Sequence, residues 1–457
     1  MVCAAWSAFA FGVAPEIIAG AWGGRGGPIL DRVFQGHRSL PVEHDLGAWR
    51  GVAAAVLIAM ALHLAIVLLA TRMDRFQPGG ARVGGKIDAS GALMVFSAVF
   101  LATAVITWIA GDHEIYVRVW TSILQGRDPW YLGLASLNAY GPLFNALAPL
   151  TLLSPLTNKL LFAFAYLAYV AWLIKAFAPR REVQPPSWFW FGLLIFNLYP
   201  WEQIAWYGYF DILVGLACVA CVHSLAVRKD GLSGAYLASG ILLKFLPLVM
   251  LPFVAFDGRR LNVRLVGVCV ALVALGVGAS VLLWGASTFA PVILAVTREP
   301  SSRYWSIYNA LYSNYSPLRL LPGAVGWVQR SLSAAAMLAL FIWWTRRRIG
   351  PLLSSILAVL VTLLFYSVAG AEYQMTLFCL VSYWAASEWS SLQQRPLLVL
   401  LLIGYFNCMA LVDLYYWEQA WLPVLHPNVV LLSQFLLGCL LMTALIRFPV
   451  APDLRRA

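Results

Sequence analysis

One acidic segment carries the residue types that acid–base chemistry requires. Asp112, His113 and Glu114 follow an apolar run and precede a stretch with helical periodicity. Asp112 and Tyr116 are four residues apart, so they share one face of a helix. A carboxylate at the mouth of a membrane helix is well placed to act as a general base. Asp112 could equally cap that helix, because aspartate is a common residue at helix starts.

Lys244 is a second candidate, because it stands among apolar residues three positions before Pro247. A lysine in such a setting needs an anion or a route to water, and a phosphate is a suitable partner for an ammonium group. Pro247 can also free backbone groups nearby. The alternative is that the lysine side chain extends to the membrane interface.

Two further segments combine charge with aromatic side chains. Arg298 and Arg303 lie in an aromatic loop and suit a phosphate, because a guanidinium binds phosphate in a bidentate manner. A solvated loop is the alternative there. Glu372 stands between apolar runs and needs a partner, which could be Lys244 or one of these arginines. The sequence does not distinguish them.

The segment 200–211 is polar and aromatic, and it contains Gln203 before a new apolar run that starts at Asp211. A functional outer loop is one interpretation of this segment. The alternative is an aromatic belt at the membrane interface with Asp211 as a helix cap.

The composition shows what kind of protein must position these residues. Of the 457 residues, 61% are hydrophobic and 11% are charged, whereas a soluble globular protein has about 25% charged residues. Apolar runs recur along the chain, each about long enough to cross a bilayer. This pattern predicts an all-α polytopic membrane protein and excludes cytosolic enzymes, secreted disulfide scaffolds and disordered chains.

The runs predict about 12–14 membrane helices, including one near the N-terminus. The other predicted spans are 48–70, 88–110, 157–177, 188–200, 211–227, 233–245, 246–256, 262–284, 324–345, 351–370, 374–390, 396–413 and 427–446. Residues 1–47 are interpreted as an uncertain N-terminal helix and a Gly-rich loop, and 48–457 as a single transmembrane domain.

The charge pattern predicts the orientation of the chain. The net charge is +11, but the basic residues form small clusters on alternate loops rather than a stripe, which argues against nucleic acid. By the positive-inside rule, these loops are cytoplasmic. The acidic candidates then lie on the non-cytoplasmic side of an inner-membrane protein. No metal-ligand spacing stands out, and Cys218 and Cys221 are interpreted as small core residues of an apolar helix.

These motifs together resemble the family 87 membrane glycosyltransferases, of the class called GT-C. The resemblance rests on Asp112-x-x-Ile115-Tyr116, on Gly126, Trp130 and Tyr131, and on Tyr140-x-Pro142. Gln203, Lys244-x-x-Pro247 and the loop 303–309 support it. The resemblance covers about 88–390. The catalytic subunit of the first GPI mannosyltransferase is more distantly similar, with Asp-x-Asp where this chain has Asp112-His113-Glu114.

The resemblance implies a GT-C-like bundle with an early non-cytoplasmic loop that carries interfacial helices. It also implies sugar transfer, often of mannose, from a polyprenyl-phosphate donor to a glycolipid or glycan hydroxyl, with inversion at the anomeric carbon. Asp112 would be the base, and Lys244, Arg298 and Arg303 would bind the donor phosphate. The residues expected to bind substrate are Glu114, Tyr116, Tyr140, Gln203, Asn309, Glu372 and Tyr373. No cofactor or metal is implied, although a divalent cation is compatible.

Two other functions compete with this interpretation. A transporter or flippase of lipid-linked sugars would be expected to show an internal repeat and charges in mid-span, whereas no clear repeat is visible and the charges lie at helix ends. A polymerase or ligase acting on lipid-phosphate sugars would carry its large outer loop late in the chain, whereas the acidic loop here is early.

The chain departs from the family 87 pattern at one point. Many family members carry a histidine in a late outer loop, where this chain has Glu372, Tyr373 and Gln374.

Overall fold

The structure is a computed structural model. It describes residues 89–107, 112–130, 140–177, 185, 187–256, 260–297, 322–347, 349–365, 370–418 and 427–448. Within these ranges the chain is helical, and its β-structure is limited to an isolated bridge between Phe256 and Leu261. The protein is therefore an all-α polytopic membrane protein, as predicted.

The longer helices follow the predicted apolar runs closely. They are α1 (Ala89–Ile106), α2 (Asp112–Leu124), α3 (Thr157–Phe177), α4 (Asp211–Ala226), α5 (Asp230–Leu243), α6 (Val263–Trp284), α7 (Pro322–Arg347), α8 (Pro351–Phe365), α9 (Gln374–Ser387), α10 (Pro396–Glu418) and α11 (Pro427–Ile446). The predicted span 48–70 and the segment 1–47 lie outside the described residues.

Shorter helical segments occupy the connections. The α-helical ones are Pro142–Asn145, Ser187–Trp190, Leu198–Pro200, Leu251–Ala255, Ala290–Thr297 and Trp389–Leu392. The 3₁₀ segments are Ala148–Leu152, Leu246–Met250, Gly285–Phe289 and Ala371–Tyr373. Two π-helical segments, Phe191–Ile195 and Trp201–Trp206, lie within and directly after the predicted span 188–200. The span is helical as predicted, but wide turns and a break at Asn197 make it irregular.

Three helices among the described residues are long and apolar enough to cross a membrane: Thr157–Phe177, Val263–Ile293 and Pro396–Asp413. A bent pair of helices would add a fourth. Several shorter apolar helices accompany them, including Pro351–Phe365 and Ser433–Ile446. The count of 12–14 helices for the whole chain stays a prediction.

The described residues divide into two compact units, which interleave along the sequence. The first consists of the described residues within the ranges Met1–His113, Lys159–Gly208 and Ala386–His426, and the second of those within Glu114–Asn158, Tyr209–Ala385 and Pro427–Ala457. The single domain expected over 48–457 stays a prediction.

In the first unit, aromatic residues of α1 pack around Trp201. The Phe96 and Phe100 ring centroids lie 5.7 Å and 5.0 Å from that of Trp201. The Trp201 Nε1–H donates to the carbonyl of Ile195 at 2.8 Å. The Tyr166 hydroxyl donates to the Leu194 carbonyl at 2.6 Å. Buried side chains therefore satisfy carbonyls of the first π-helical segment, which stabilises its irregular backbone.

In the second unit, α5 packs between α4 and α6. The contact with α6 is close because a Cβ at Gly234 would lie 2.3 Å from the Leu265 carbonyl oxygen. Small residues allow such an approach between membrane helices. The start of α6 is fixed by Asn262, whose side chain accepts from the Leu265 N–H at 3.1 Å. This layer holds the C-terminal end of α5, where Lys244 lies.

Candidate active site

Asp112 is the first helical residue of α2 and is half-buried. The predicted helix from this residue is confirmed, and it ends before Gly126, whose φ of +74° suits a glycine turn. Glu114 is exposed on the same helix and forms an ion pair with Arg118. Residues two positions apart point in different directions on a helix. Asp112 and Glu114 therefore do not share one face of α2.

Tyr116 and Tyr140 belong to a buried aromatic cluster of the second unit. Tyr116 has no exposed surface, and its hydroxyl accepts from that of Tyr140 at 3.4 Å. Phe144 and Phe210 lie within 5.6 Å of the Tyr116 ring, measured between centroids. Trp120 closes the cluster and donates its Nε1–H to the Phe144 carbonyl at 3.0 Å. The two tyrosines expected to bind substrate are thus buried members of this aromatic cluster.

Lys244 lies at the edge of this cluster, and its side chain is buried. Its Nζ donates to Asp211 Oδ1 at 2.6 Å, in an ion pair whose side chains are 4% and 0% exposed. The ammonium also lies 3.4 Å from the centroid of the Tyr373 ring. The Tyr140 and Phe210 centroids are more distant, at 5.8 Å and 5.7 Å. An ammonium over an aromatic face is attracted by the ring quadrupole.

The backbone explains why Lys244 occupies this position. Helix α5 ends at Leu243, and Lys244 is extended, with φ −158° and ψ 137°. Gly141 donates its N–H to the Leu243 carbonyl at 3.0 Å. A Cβ at Gly141 would lie 2.2 Å from the Leu242 carbonyl oxygen, so only glycine permits this approach. The motif Tyr140-x-Pro142 thereby braces the end of α5.

Tyr373 and Glu372 lie in the short 3₁₀ turn Ala371–Tyr373, and both are half-buried. The turn is closed by the Tyr373 N–H, which donates to the Gly370 carbonyl at 3.3 Å. The Glu372 carboxylate folds back over the Cα of Gly370. The ion-pair partner of Lys244 is therefore Asp211 rather than Glu372, which sequence reasoning had named as one of its possible partners.

Gln203 lies in a separate polar cluster of the first unit, and it is fully buried. Its Nε2–H groups donate to Glu202 Oε2 at 3.2 Å and to Asp413 Oδ2 at 3.1 Å. Both acids are buried as well. The amide thus bridges two carboxylates that are 211 positions apart in sequence. No sequence spacing could have indicated this pairing.

Lys159 is a buried residue that the sequence analysis did not select. Its Nζ donates to Thr107 Oγ1 at 2.7 Å and to the Trp206 carbonyl at 2.6 Å. The single O–H of Thr107 lies within hydrogen-bond distance of the carbonyls of both Thr103 and Ala205, at 2.8 Å and 2.9 Å. These contacts tie the end of α1 to the second π-helical segment. A lysine in the first turn of an otherwise apolar helix was the available signal.

The remaining predicted residues are outside the part of the chain that the structure describes. They are Arg298, Arg303 and Asn309. Within the described residues, no group of three or more His, Cys, Asp or Glu side chains is arranged to hold a metal ion. The first unit thus contains the half-buried carboxylate of Asp112, and the second unit contains the buried ion pair of Lys244 and Asp211.

Comparison with known families gives one match. The family described as glycosyltransferase family 87 matches residues 138–368, which is about half of the chain. The matched range includes Tyr140, Gln203, Asp211 and Lys244 but begins after Asp112. A search of curated proteins found no match.

Proposed function

The chain belongs to glycosyltransferase family 87, and on that premise we propose that it transfers a sugar from a polyprenyl-phosphate donor. The sugar is mannose, and the acceptor is a hydroxyl of a glycolipid or glycan on the non-cytoplasmic face of the inner membrane. We also propose that the chain is distantly related to the catalytic subunit of the first GPI mannosyltransferase. That the protein is a membrane-bound glycosyltransferase follows from the family and from its apolar helices.

The observation that carries the donor class is the setting of Lys244. Its ammonium is buried beside the Asp211 carboxylate and over the Tyr373 ring, where α5 ends. A phosphate that loses a sugar gains negative charge, and a nearby ammonium stabilises that charge. Arg298 and Arg303 complete the proposed phosphate site.

Asp112 is the proposed general base. The acceptor hydroxyl oxygen attacks the anomeric carbon, and the bond between that carbon and the phosphate oxygen breaks. The bonding electrons leave with the phosphate, and the hydroxyl proton passes to the Asp112 carboxylate. Attack opposite to the leaving group inverts the anomeric centre. Asp112 is half-buried at a helix start, which supports this role because the base must reach a bound acceptor.

The remaining residues have proposed roles in substrate binding. The hydroxyl-rich sugar needs hydrogen-bonding and stacking partners, and the prenyl chain needs an apolar surface open to lipid. Helix α6 offers such a surface, because Leu275, Leu282 and Leu283 are 72%, 88% and 70% exposed. The residues proposed to bind sugar or acceptor are Glu114, Tyr116, Tyr140, Gln203, Asn309, Glu372 and Tyr373.

Transfer of radiolabel tests this function. Purified protein in nanodiscs is incubated with labelled polyprenyl-phosphate-mannose and a lipid extract that supplies acceptors. We expect wild type to form a labelled glycolipid, and Asp112→Asn to lower the rate about 100-fold or more.

The matched control is Asp128→Asn, which alters another half-buried carboxylate of the same segment. Asp128 accepts from the Trp130 N–H at 2.9 Å, a hydrogen bond that asparagine can replace. This variant should retain wild-type activity. Equal transfer by wild type and Asp112→Asn would remove the base assignment but keep the enzyme. Transfer only from polyprenyl-phosphate-glucose or -arabinose would correct the sugar. Failure with all three donors would favour the transporter.

A further inference from the structure

Asp211, the ion-pair partner of Lys244, bears on which charge of ligand can bind at Lys244. Asp211 is fully buried at the start of α4, and its Oδ1 accepts from the Lys244 ammonium. Its second oxygen, Oδ2, is buried and has no hydrogen-bond partner among the described residues. The Lys244 ammonium therefore contacts one oxygen of the Asp211 side chain, while the other has no hydrogen bond among the described residues.

The donor and the product of the proposed reaction differ in charge. The phosphate of a polyprenyl-phosphate sugar is a diester with one negative charge. The released polyprenyl phosphate is a monoester whose second proton has a pKa of about 6, so it carries nearly two charges at pH 8. An anion that approaches Lys244 must share the ammonium with Asp211. Electrostatic repulsion from Asp211 grows in proportion to the charge of that anion.

We propose that Asp211 is a specificity-determining residue, which weakens binding of the dianionic lipid phosphate product relative to the monoanionic donor. This inference rests on the proposed function, because it takes the donor phosphate to bind at Lys244. Asp211 makes the site selective for a phosphodiester and promotes release of the product. The titratable side chains that face Lys244 in the described residues are Asp211, Tyr373 and Tyr140.

Aromatic contacts keep Lys244 in place while it is shared. The Tyr373 face lies 3.4 Å from the ammonium, and a cation–π contact leaves the charge of the lysine intact. Lysine has three N–H donors, so one can remain on Asp211 while another turns to a phosphate oxygen. The geometry thus allows the carboxylate to stay beside the bound ligand rather than leave the site.

Direct binding of two small lipids tests the proposal without requiring sugar transfer. The probes are a short prenyl phosphate and its methyl ester, measured by calorimetry in detergent at pH 8 and pH 5.5. In Asp211→Asn we expect affinity for the monoester at pH 8 to rise about tenfold and affinity for the diester about threefold. The ratio follows because the monoester carries nearly twice the charge. At pH 5.5 the two changes should converge as the monoester takes up its second proton.

The control is Asp230→Asn, the same change at the first residue of α5, which should alter neither affinity. Equal changes for both esters in Asp211→Asn, or no change, would overturn the proposal. If Asp211→Asn does not fold, Asp211→Ser, which also removes the carboxylate, takes its place, and the same larger rise for the monoester is expected. Equal changes for both esters in Asp211→Ser, or no change, would overturn the proposal.

Different results would overturn the proposed donor class and the proposed role of Asp211. Sugar transfer by wild type, with no charge discrimination that depends on Asp211, would overturn this inference alone. Absence of transfer together with absence of binding of either ester would overturn the donor class and this inference with it.

Discussion

Lys244 and Lys159 are both buried lysines, but the two units hold them in different ways. Lys244 forms an ion pair with Asp211 and lies over the face of Tyr373. Lys159 donates to a hydroxyl and to a backbone carbonyl, both neutral acceptors. The first arrangement leaves a charged pair with an oxygen that has no described hydrogen-bond partner. The second joins two backbone segments.

Under the proposed function, Lys244 binds a ligand, whereas Lys159 stabilises the fold. A buried ion pair is seldom the most stable way to fill a space, since desolvation offsets much of its attraction. Retention of charge at Lys244 therefore fits a site that receives an anion. The contacts of Lys159 instead join the end of α1 to the end of the second π-helical segment.

Replacing each lysine by methionine gives the largest expected difference between the two sites. Lys244→Met leaves the Asp211 carboxylate buried without its counter-ion, which should lower the free energy of unfolding by about 3–5 kcal/mol. Lys159→Met leaves the Trp206 carbonyl without that donor, which should cost about 1–3 kcal/mol. Unfolding by SDS in mixed micelles measures both.

The double variant Lys244→Met with Asp211→Leu is the control, because it removes the uncompensated charge along with the lysine. It should recover most of the stability but not transfer activity. A cost for Lys159→Met as large as that for Lys244→Met would contradict the comparison.

The glycines that border the two lysines should respond unequally to alanine. A Cβ at Gly141 meets the Leu242 carbonyl oxygen at 2.2 Å, and this backbone atom has little room to move. At Gly208, which has φ +69°, the Cβ meets Lys159 Cγ at 2.9 Å, in a side chain that can adjust. We expect Gly141→Ala to cost about 3 kcal/mol and Gly208→Ala about 1–2 kcal/mol, the latter from left-handed backbone strain.

Thermal unfolding in one detergent ranks the two variants, and Gly404→Ala serves as the reference, because a Cβ there contacts nothing within 4 Å in α10. The reference should be neutral or slightly stabilising. A larger loss at Gly208 than at Gly141 would show that the end of α5 adapts more readily than the structure indicates.

Tyr373 gives the smallest expected effect. Tyr373→Phe keeps the aromatic face under Lys244, whereas Tyr373→Leu removes it. The loss of the cation–π contact should cost about 0.5–2 kcal/mol, so leucine should destabilise the protein and phenylalanine should change little by comparison. Unfolding of the two variants side by side measures this. An equal loss in both would assign the effect to the tyrosine hydroxyl instead of the ring.

Much of the helix pattern was predictable because hydropathy and helix starts are local properties. The prediction 157–177 is confirmed by Thr157–Phe177, and 427–446 by Pro427–Ile446. The irregular backbone of the span 188–200 was not predicted, because π-helical turns depend on distant partners, such as the Tyr166 hydroxyl on the Leu194 carbonyl. Apolar periodicity carries no trace of such contacts.

Much less of the candidate site was predictable. Lys244 and Asp112 were selected because a charge among apolar residues is costly. The pairing of Lys244 with Asp211 joins residues 33 positions apart, and Asp211 was interpreted as a helix cap or part of an outer loop. The link from Gln203 to Asp413 spans 210 positions. Such pairs depend on how helices pack, which single-sequence patterns do not specify.

The exposed surface of α6 makes the position of Lys244 depend on the thickness of the bilayer. This helix of 22 residues is about 33 Å long at 1.5 Å per residue, close to the hydrocarbon thickness of about 30 Å. A thinner bilayer would tilt it. Its Gly276 lies against the Leu242 side chain, two residues before Lys244. The acyl-chain length of the surrounding lipids should therefore alter the position of the Lys244 ammonium, through the tilt of α6.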